Sequence, residues 1–127
     1  MTIDNCGFTT TVSAPVQRAT TMEQGSTETL LLLGAKDPIA GYSHQKDSPP
    51  EGFTLDELTE LSSTVSNSEQ LRDVDTDMIV SPFKDSWTPN AAGSREEWQR
   101  LGVGTHNSNT ECPDYGDNIG KTRFQLI

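Results

Sequence analysis

The longest aliphatic run in this chain is the four leucines Leu30 to Leu33. That shortness limits what the chain can build. A membrane-spanning helix needs about 20 apolar residues, so none is expected. Four consecutive leucines carry no period, so a helix and a buried strand are not separable there. Ser26 or Thr27 is placed to cap a short helix, and Gly34 with Pro38 stops whatever forms. Outside this run the apolar residues are sparse. Only 31% of the 127 residues are hydrophobic, and 28 are serine or threonine, where ordinary globular chains are about 45–50% apolar. Ordering the backbone costs about 1–2 kcal/mol per residue, and this chain has little apolar area to offset it. The fold class expected is therefore mostly irregular or extended, with a few short α-helices, possible terminal β-strands and little independent hydrophobic core.

Four segments follow from the punctuation. Residues 1–35 read as an extended N-terminal arm carrying the leucine anchor, with Phe8, Thr10 and Val12 on one face of any strand that forms. Residues 36–53 contain three prolines and two glycines and read as a linker. Residues 54–78 read as an acidic helical segment. There Thr54 and Glu57 make a capping box, and Leu55, Leu58, Leu61 and Val65 fall on one stripe, which predicts a helix over about 55–64. A helix of about ten residues is unstable alone, so this stripe must be buried against something. Ser66 and Glu69 start a second helix near 67–75. Residues 79–127 read as an irregular segment with one short helix, capped by Ser94 with Glu97 at its third position and Gly102 after it, and a terminal strand carrying Phe124 and Leu126. Between the last two helices Ile79, Val80, Phe83 and Trp87 sit on a proline-broken path.

The net charge is −10 and it is concentrated. Residues 51–80 hold eight acids against Arg72, a net of −7. Direct nucleic-acid binding needs a basic footprint and is not expected. A basic protein surface is the natural complement of residues 51–80.

Motifs for chemistry are sparse. Asp73, Asp75 and Asp77 match the first ligand positions of a calcium loop, but Met78 stands where glycine is needed and Lys84 where a bidentate glutamate is needed. His44 and His106 lack metal-ligand spacing, and Cys6 and Cys112 fall short of any zinc pattern. No phosphate-binding loop and no nucleophile elbow occur. Neither an enzyme nor a cofactor is expected. Whether the two cysteines meet is not legible in sequence. "MTIDNCGF" lacks a signal-peptide pattern, so reduced thiols and an intracellular location, or a virion if the protein is viral, are the expectation.

These features predict a non-enzymatic structural or accessory subunit of a large assembly. A minor capsid or cement-type protein of a virus or phage, ordered by neighbouring subunits, fits them best. The residues expected to meet partner subunits are Leu32, Leu33, Phe53, Leu55, Leu58, Leu61, Val65, Phe83, Trp87 and Trp98. The alternatives are an acidic interaction module that lays the helix at 54–65 into a partner's groove, or a DNA mimic that blocks a nucleic-acid-binding protein. No membrane partner is expected.

Overall fold

The computed structural model describes residues 2–12, 15–108 and 112. The chain opens with a hairpin, β1 (Thr2–Asn5) and β2 (Phe8–Thr11). Its two-residue turn, Cys6 and Gly7, has positive φ at both positions (56° and 75°), the primed turn that suits the strand twist. Then come β3 (Ala19–Thr21), α1 (Gln24–Leu32), β4 (Ile39–Ser43) and β5 (Glu60–Ser62), followed by α2 (Ser68–Asp73) and β6 (Met78–Ser81). A 3-10 turn (Lys84–Trp87), α3 (Arg95–Arg100) and β7 (Gly104–Asn107) complete the described elements.

β3 to β7 lie parallel in one sheet, in the order β5-β4-β3-β6-β7. The chain winds outward from β3 to β5, then crosses back over to β6 and β7. Right-handed crossovers in both directions put α1 on one face and α2 and α3 on the other. On that second face Leu71 of α2, Ile79 of β6 and Trp98 of α3 pack with Met22, Ala91, Ala92 and Val103, and Leu61, Val65 and Trp87 pad the rim.

This corrects the expectation of a mostly irregular or extended chain with little core of its own. Composition misled because much of the interior is hydroxylic. Thr20, Thr21, Thr27, Ser43, Ser81 and Thr105 are all buried. Their hydroxyls are satisfied internally: Thr20 with Thr76 (3.0 Å), Thr21 with Thr27 (2.7 Å), Ser43 to the Thr21 carbonyl (3.3 Å). A threonine so paired fills a core position at little desolvation cost.

The helix expected over 55–64 does not form. Thr54 caps only a local turn, its hydroxyl accepting from the Asp56 amide at 3.1 Å, and Glu57 pairs with Lys36 at 2.6 Å instead of closing a capping box. Residues 60–62 become the edge strand β5, and the Tyr42 amide donates to the Thr59 carbonyl at 3.0 Å. Leu61 lies over Gly41 so closely that a Cβ there would come within 2.7 Å of its Cγ. Sheet pairing plus this contact outweighs a helix too short to stand alone. Residues 39–43, expected as linker, are the inner strand β4. α1 starts earlier than expected, with Glu23 rather than Ser26 or Thr27 as its cap. α2 is capped by Asn67 with Gln70, one residue beyond the expected pair. α3 has its expected cap, Ser94, accepting from the Glu97 amide at 3.2 Å. The expected terminal strand with Phe124 and Leu126 lies outside the described residues.

The hairpin is fastened to the sheet at β7. The Thr105 amide donates to Thr10 Oγ1 at 3.1 Å. A Cβ on Gly104 would lie 2.9 Å from Val12 Cγ2, so the glycine admits that side chain. Cys6 and Cys112 form a disulfide with Cα atoms 5.2 Å apart across 106 residues, which overturns the expectation of reduced thiols.

Candidate functional site

In a parallel sheet whose strand order reverses, the loops leaving the two central strands diverge and open a crevice at the carboxyl ends. Here the reversal lies between β3 and β6. Beside it is a hollow of about 410 Å³ lined by His44, Val65, Phe83, Asp85, Ser86, Asn90 and Ala91. These residues follow β4, β5 and β6, so three carboxyl ends converge on one cavity.

Each wall has a local cause. His44 follows β4 directly, and its amide still pairs with the Ser62 carbonyl of β5 at 3.1 Å. Its φ of 57° puts a non-glycine residue in the left-handed region, which costs about 1–2 kcal/mol. The loop behind it is held to α1: Gln24 Oε1 accepts from the amides of Lys46 and Asp47, both at 3.1 Å, and Gln45 Nε2 donates to Glu28 at 2.9 Å. On the opposite wall Ser81 Oγ accepts from the Phe83 amide at 3.1 Å, so the chain turns as soon as β6 ends. The Ala92 amide donates to the Ser86 carbonyl at 2.9 Å and closes the loop. Trp87 anchors it from below, its Nε1 donating to Asn107 Oδ1 at 2.8 Å.

Apart from Ser86, whose hydroxyl is bonded to Ser81 Oγ, the polar side chains of the lining are unengaged by protein. Among the described residues no group hydrogen-bonds the His44 ring, the Asp85 carboxylate or the Asn90 amide side chain, and His44 Nδ1 is buried without a partner. Buried polar atoms are ordinarily satisfied. One buried unpaired nitrogen, on His44, and the exposed side chains of Asp85 and Asn90, set around the apolar Val65, Phe83 and Ala91, are the usual make-up of a small-molecule site. Phe83 is 43% exposed, a large ring left open on the cavity wall.

The residues expected at a partner surface are scattered. Val65 and Phe83 meet in this cavity. Leu61, Val65 and Trp87 pad the core, and Trp98 is inside it with Nε1 donating to the Ala92 carbonyl at 2.7 Å. Leu32 and Leu33 are exposed at the far end of α1. Phe53, Leu55 and Leu58 lie in the turns before β5, with Leu55 and Leu58 half-buried. Sequence reasoning did not assemble His44, Asp85 and Asn90. Asp85 and Asn90 lie 41 and 46 positions after His44, on a different loop, and no local pattern joins them.

No protein-family model matches this sequence, and no curated protein matches it. Solved structures do. The chain is similar to a periplasmic binding protein from Veillonella parvula, at 25% identity and a TM-score of 0.68 over 87% of this chain and 38% of that one. It is also similar to an ABC-type Fe3+-hydroxamate transport system protein from Saccharomonospora viridis, at 21% identity and a TM-score of 0.66 over 89% and 40%. A third is the petrobactin-binding protein of Bacillus subtilis, at 16% identity and a TM-score of 0.61 over 99% and 48%. This chain thus spans less than half the length of each.

Compact packing and this likeness overturn the assembly-subunit reading. An extended chain ordered by capsid neighbours and a virion location presumed a chain without a core of its own, and the basic protein partner expected for the charge of residues 51–80 belonged to that reading. Part of the acidity has internal duties: Glu57 binds Lys36, which holds its carboxyl below the usual range, and Asp77 accepts from the amides of Gln17 and Arg18 at 2.8 and 3.0 Å. No helix among the described residues is long and apolar enough to cross a membrane.

Proposed function

We propose that this chain is a ligand-binding lobe of an extracytoplasmic solute-binding protein, which captures a small solute at the carboxyl edge of its sheet and delivers it to a transporter. The observation that carries the reading is the switch-point cavity, where His44, Asp85 and Asn90 face a ligand-sized space with no protein partner. Two others support it. The Cys6–Cys112 bridge belongs to an oxidising compartment. The solved structures of similar fold are binding proteins about twice as long or more, so a second lobe would close over this edge and complete the site.

We read the site as binding rather than catalytic. His44, Asp85 and Ser86 all line it, but the Ser86 hydroxyl is bonded to Ser81 Oγ at 2.5 Å and not to the imidazole. A nucleophile needs a base within hydrogen-bond reach, and this serine faces another hydroxyl.

The test is a thermal-shift screen of the chain against small solutes, metal chelates and haem included, with each hit mapped by amide chemical shifts. Hits that perturb His44, Phe83, Asp85 and Asn90 support the reading. Hits that stabilise the protein while leaving all four unmoved would place the site elsewhere and overturn it.

A further inference from the structure

The charge and hydrogen-bonding pattern of the cavity go further than its location. Of its lining residues, Asp85 carries a full charge; none is lysine or arginine. Among the described residues the Asp85 carboxylate has no ion pair and no hydrogen-bond donor. Lys84 precedes it in the chain but does not line the cavity.

Arg95 is the buried cation among the described lysines and arginines, and it is already committed. It donates from Nε to Thr105 Oγ1 (2.8 Å), from Nη1 to the Asn5 carbonyl (3.1 Å), and from Nη2 to Asn5 Oδ1 (2.8 Å) and the Thr105 carbonyl (3.0 Å). The rings of Phe8 and Trp87 lie 4.5 and 5.6 Å from its guanidinium carbon. It lines a separate hollow with Cys6, Gly7 and Phe8. An anionic ligand in the cavity would therefore meet the Asp85 carboxylate with no lysine or arginine among the lining residues to answer it.

We infer that the cavity selects a neutral or cationic ligand that carries hydrogen-bond donors, and that Asp85 sets this preference. The inference rests on the reading of the cavity as the solute site. Asp85 accepts from the ligand's donors, and the open face of Phe83 takes its cationic or apolar part. His44 and Asn90, each free to donate or accept, orient it.

The experiment uses the chain as it is, isotope-labelled, titrated with three gallium(III) chelates that share a metal and differ in charge. They are the cationic trihydroxamate complex of desferrioxamine B, the neutral trihydroxamate of desferriferrichrome and the anionic tris-catecholate of enterobactin. The cationic and neutral chelates should shift the amides of His44, Phe83, Asp85 and Asn90, with affinities at least tenfold above that of the anionic one. Asp85→Asn should shrink that gap and Asp85→Lys should reverse it. Both changes are at an exposed position, and an unaltered circular dichroism spectrum checks the fold. If the anionic chelate binds at these residues as tightly as the others, or the ranking is unmoved by both variants, the charge inference is overturned and the solute site stands. If none of the three moves these residues, the site reading fails and takes the inference with it.

Discussion

Arg95 grips Asn5 across 90 positions of sequence, with Nη2 2.8 Å from the side-chain oxygen and Nη1 3.1 Å from the main-chain carbonyl. Asn5 in turn accepts the Asn107 amide at 2.8 Å and donates to its carbonyl at 2.9 Å. This buried knot binds the hairpin to the edge strand β7, so the unpaired side of that strand is covered rather than left open to other chains. Burial lowers the Arg95 pKa to about 10, with Glu96 opposing the shift. The guanidinium remains charged at neutral pH and is held by neutral acceptors and aromatic faces.

Arg95→Met should leave acceptors on Asn5 and Thr105 unsatisfied. Such groups cost about 1–3 kcal/mol each, so urea denaturation should show a loss of about 3 kcal/mol. Arg95→Lys should recover little, because a single ammonium cannot reproduce the fork. A loss within about 0.5 kcal/mol, the range of an ordinary surface change, would show that the knot does not hold the hairpin.

Gly41 and Leu61 should be energetically coupled. A Cβ on Gly41 would lie 2.7–2.9 Å from three carbons of the Leu61 side chain. Gly41→Ala alone should cost about 1–3 kcal/mol by overpacking. In the Leu61→Ala background the same change should cost much less, and the double-mutant cycle measures the difference. Additive effects would mean that β5 does not pack on β4 as described.

His44 should trade stability for binding. Glycine adopts its φ of 57° without the side-chain penalty, so His44→Gly should gain about 0.5–1 kcal/mol after allowing for the greater entropy of glycine in the unfolded chain. The same variant should lose at least tenfold in ligand affinity, having lost a lining group. Destabilisation by glycine would show that the imidazole is a structural support.

His106 should make the fold acid-sensitive near neutrality. Burial, and then the charge on Arg95, lower its pKa below the ordinary value of 6.5. As pH falls below about 6.5 the unfolded chain takes up a proton that the folded chain resists. The unfolded state then binds more protons, and stability declines. Asp and Glu protonation begins at lower pH, so the His106 window comes first. Melting temperatures between pH 7 and 5 should fall for the natural protein and stay flatter for His106→Gln. Parallel curves would rule His106 out as the cause.

Local chemistry was written into the sequence where the deciding interaction is local. Ser94, Glu97 and Gly102 frame α3 within nine residues, and Gly34 ends α1 where a left-handed residue is needed. Such signals were outvoted wherever a distant partner offered more. Thr54 and Glu57 spell a helix start, yet pairing with β4 and the fit of Leu61 over Gly41 turn residues 60–62 into a strand. Strands of three to five residues are too short to show a period, so the parallel sheet left almost no trace in the pattern. Composition counted threonine and serine as surface, whereas Thr20, Thr21 and Ser43 are interior because tertiary neighbours satisfy their hydroxyls. The cavity is the extreme case: His44, Asp85 and Asn90 share no spacing and become neighbours only when the strand order reverses between β3 and β6. Helix caps act over a few residues and can be read along the chain. A crevice formed by diverging loops depends on sheet order, and that order is set by long-range packing.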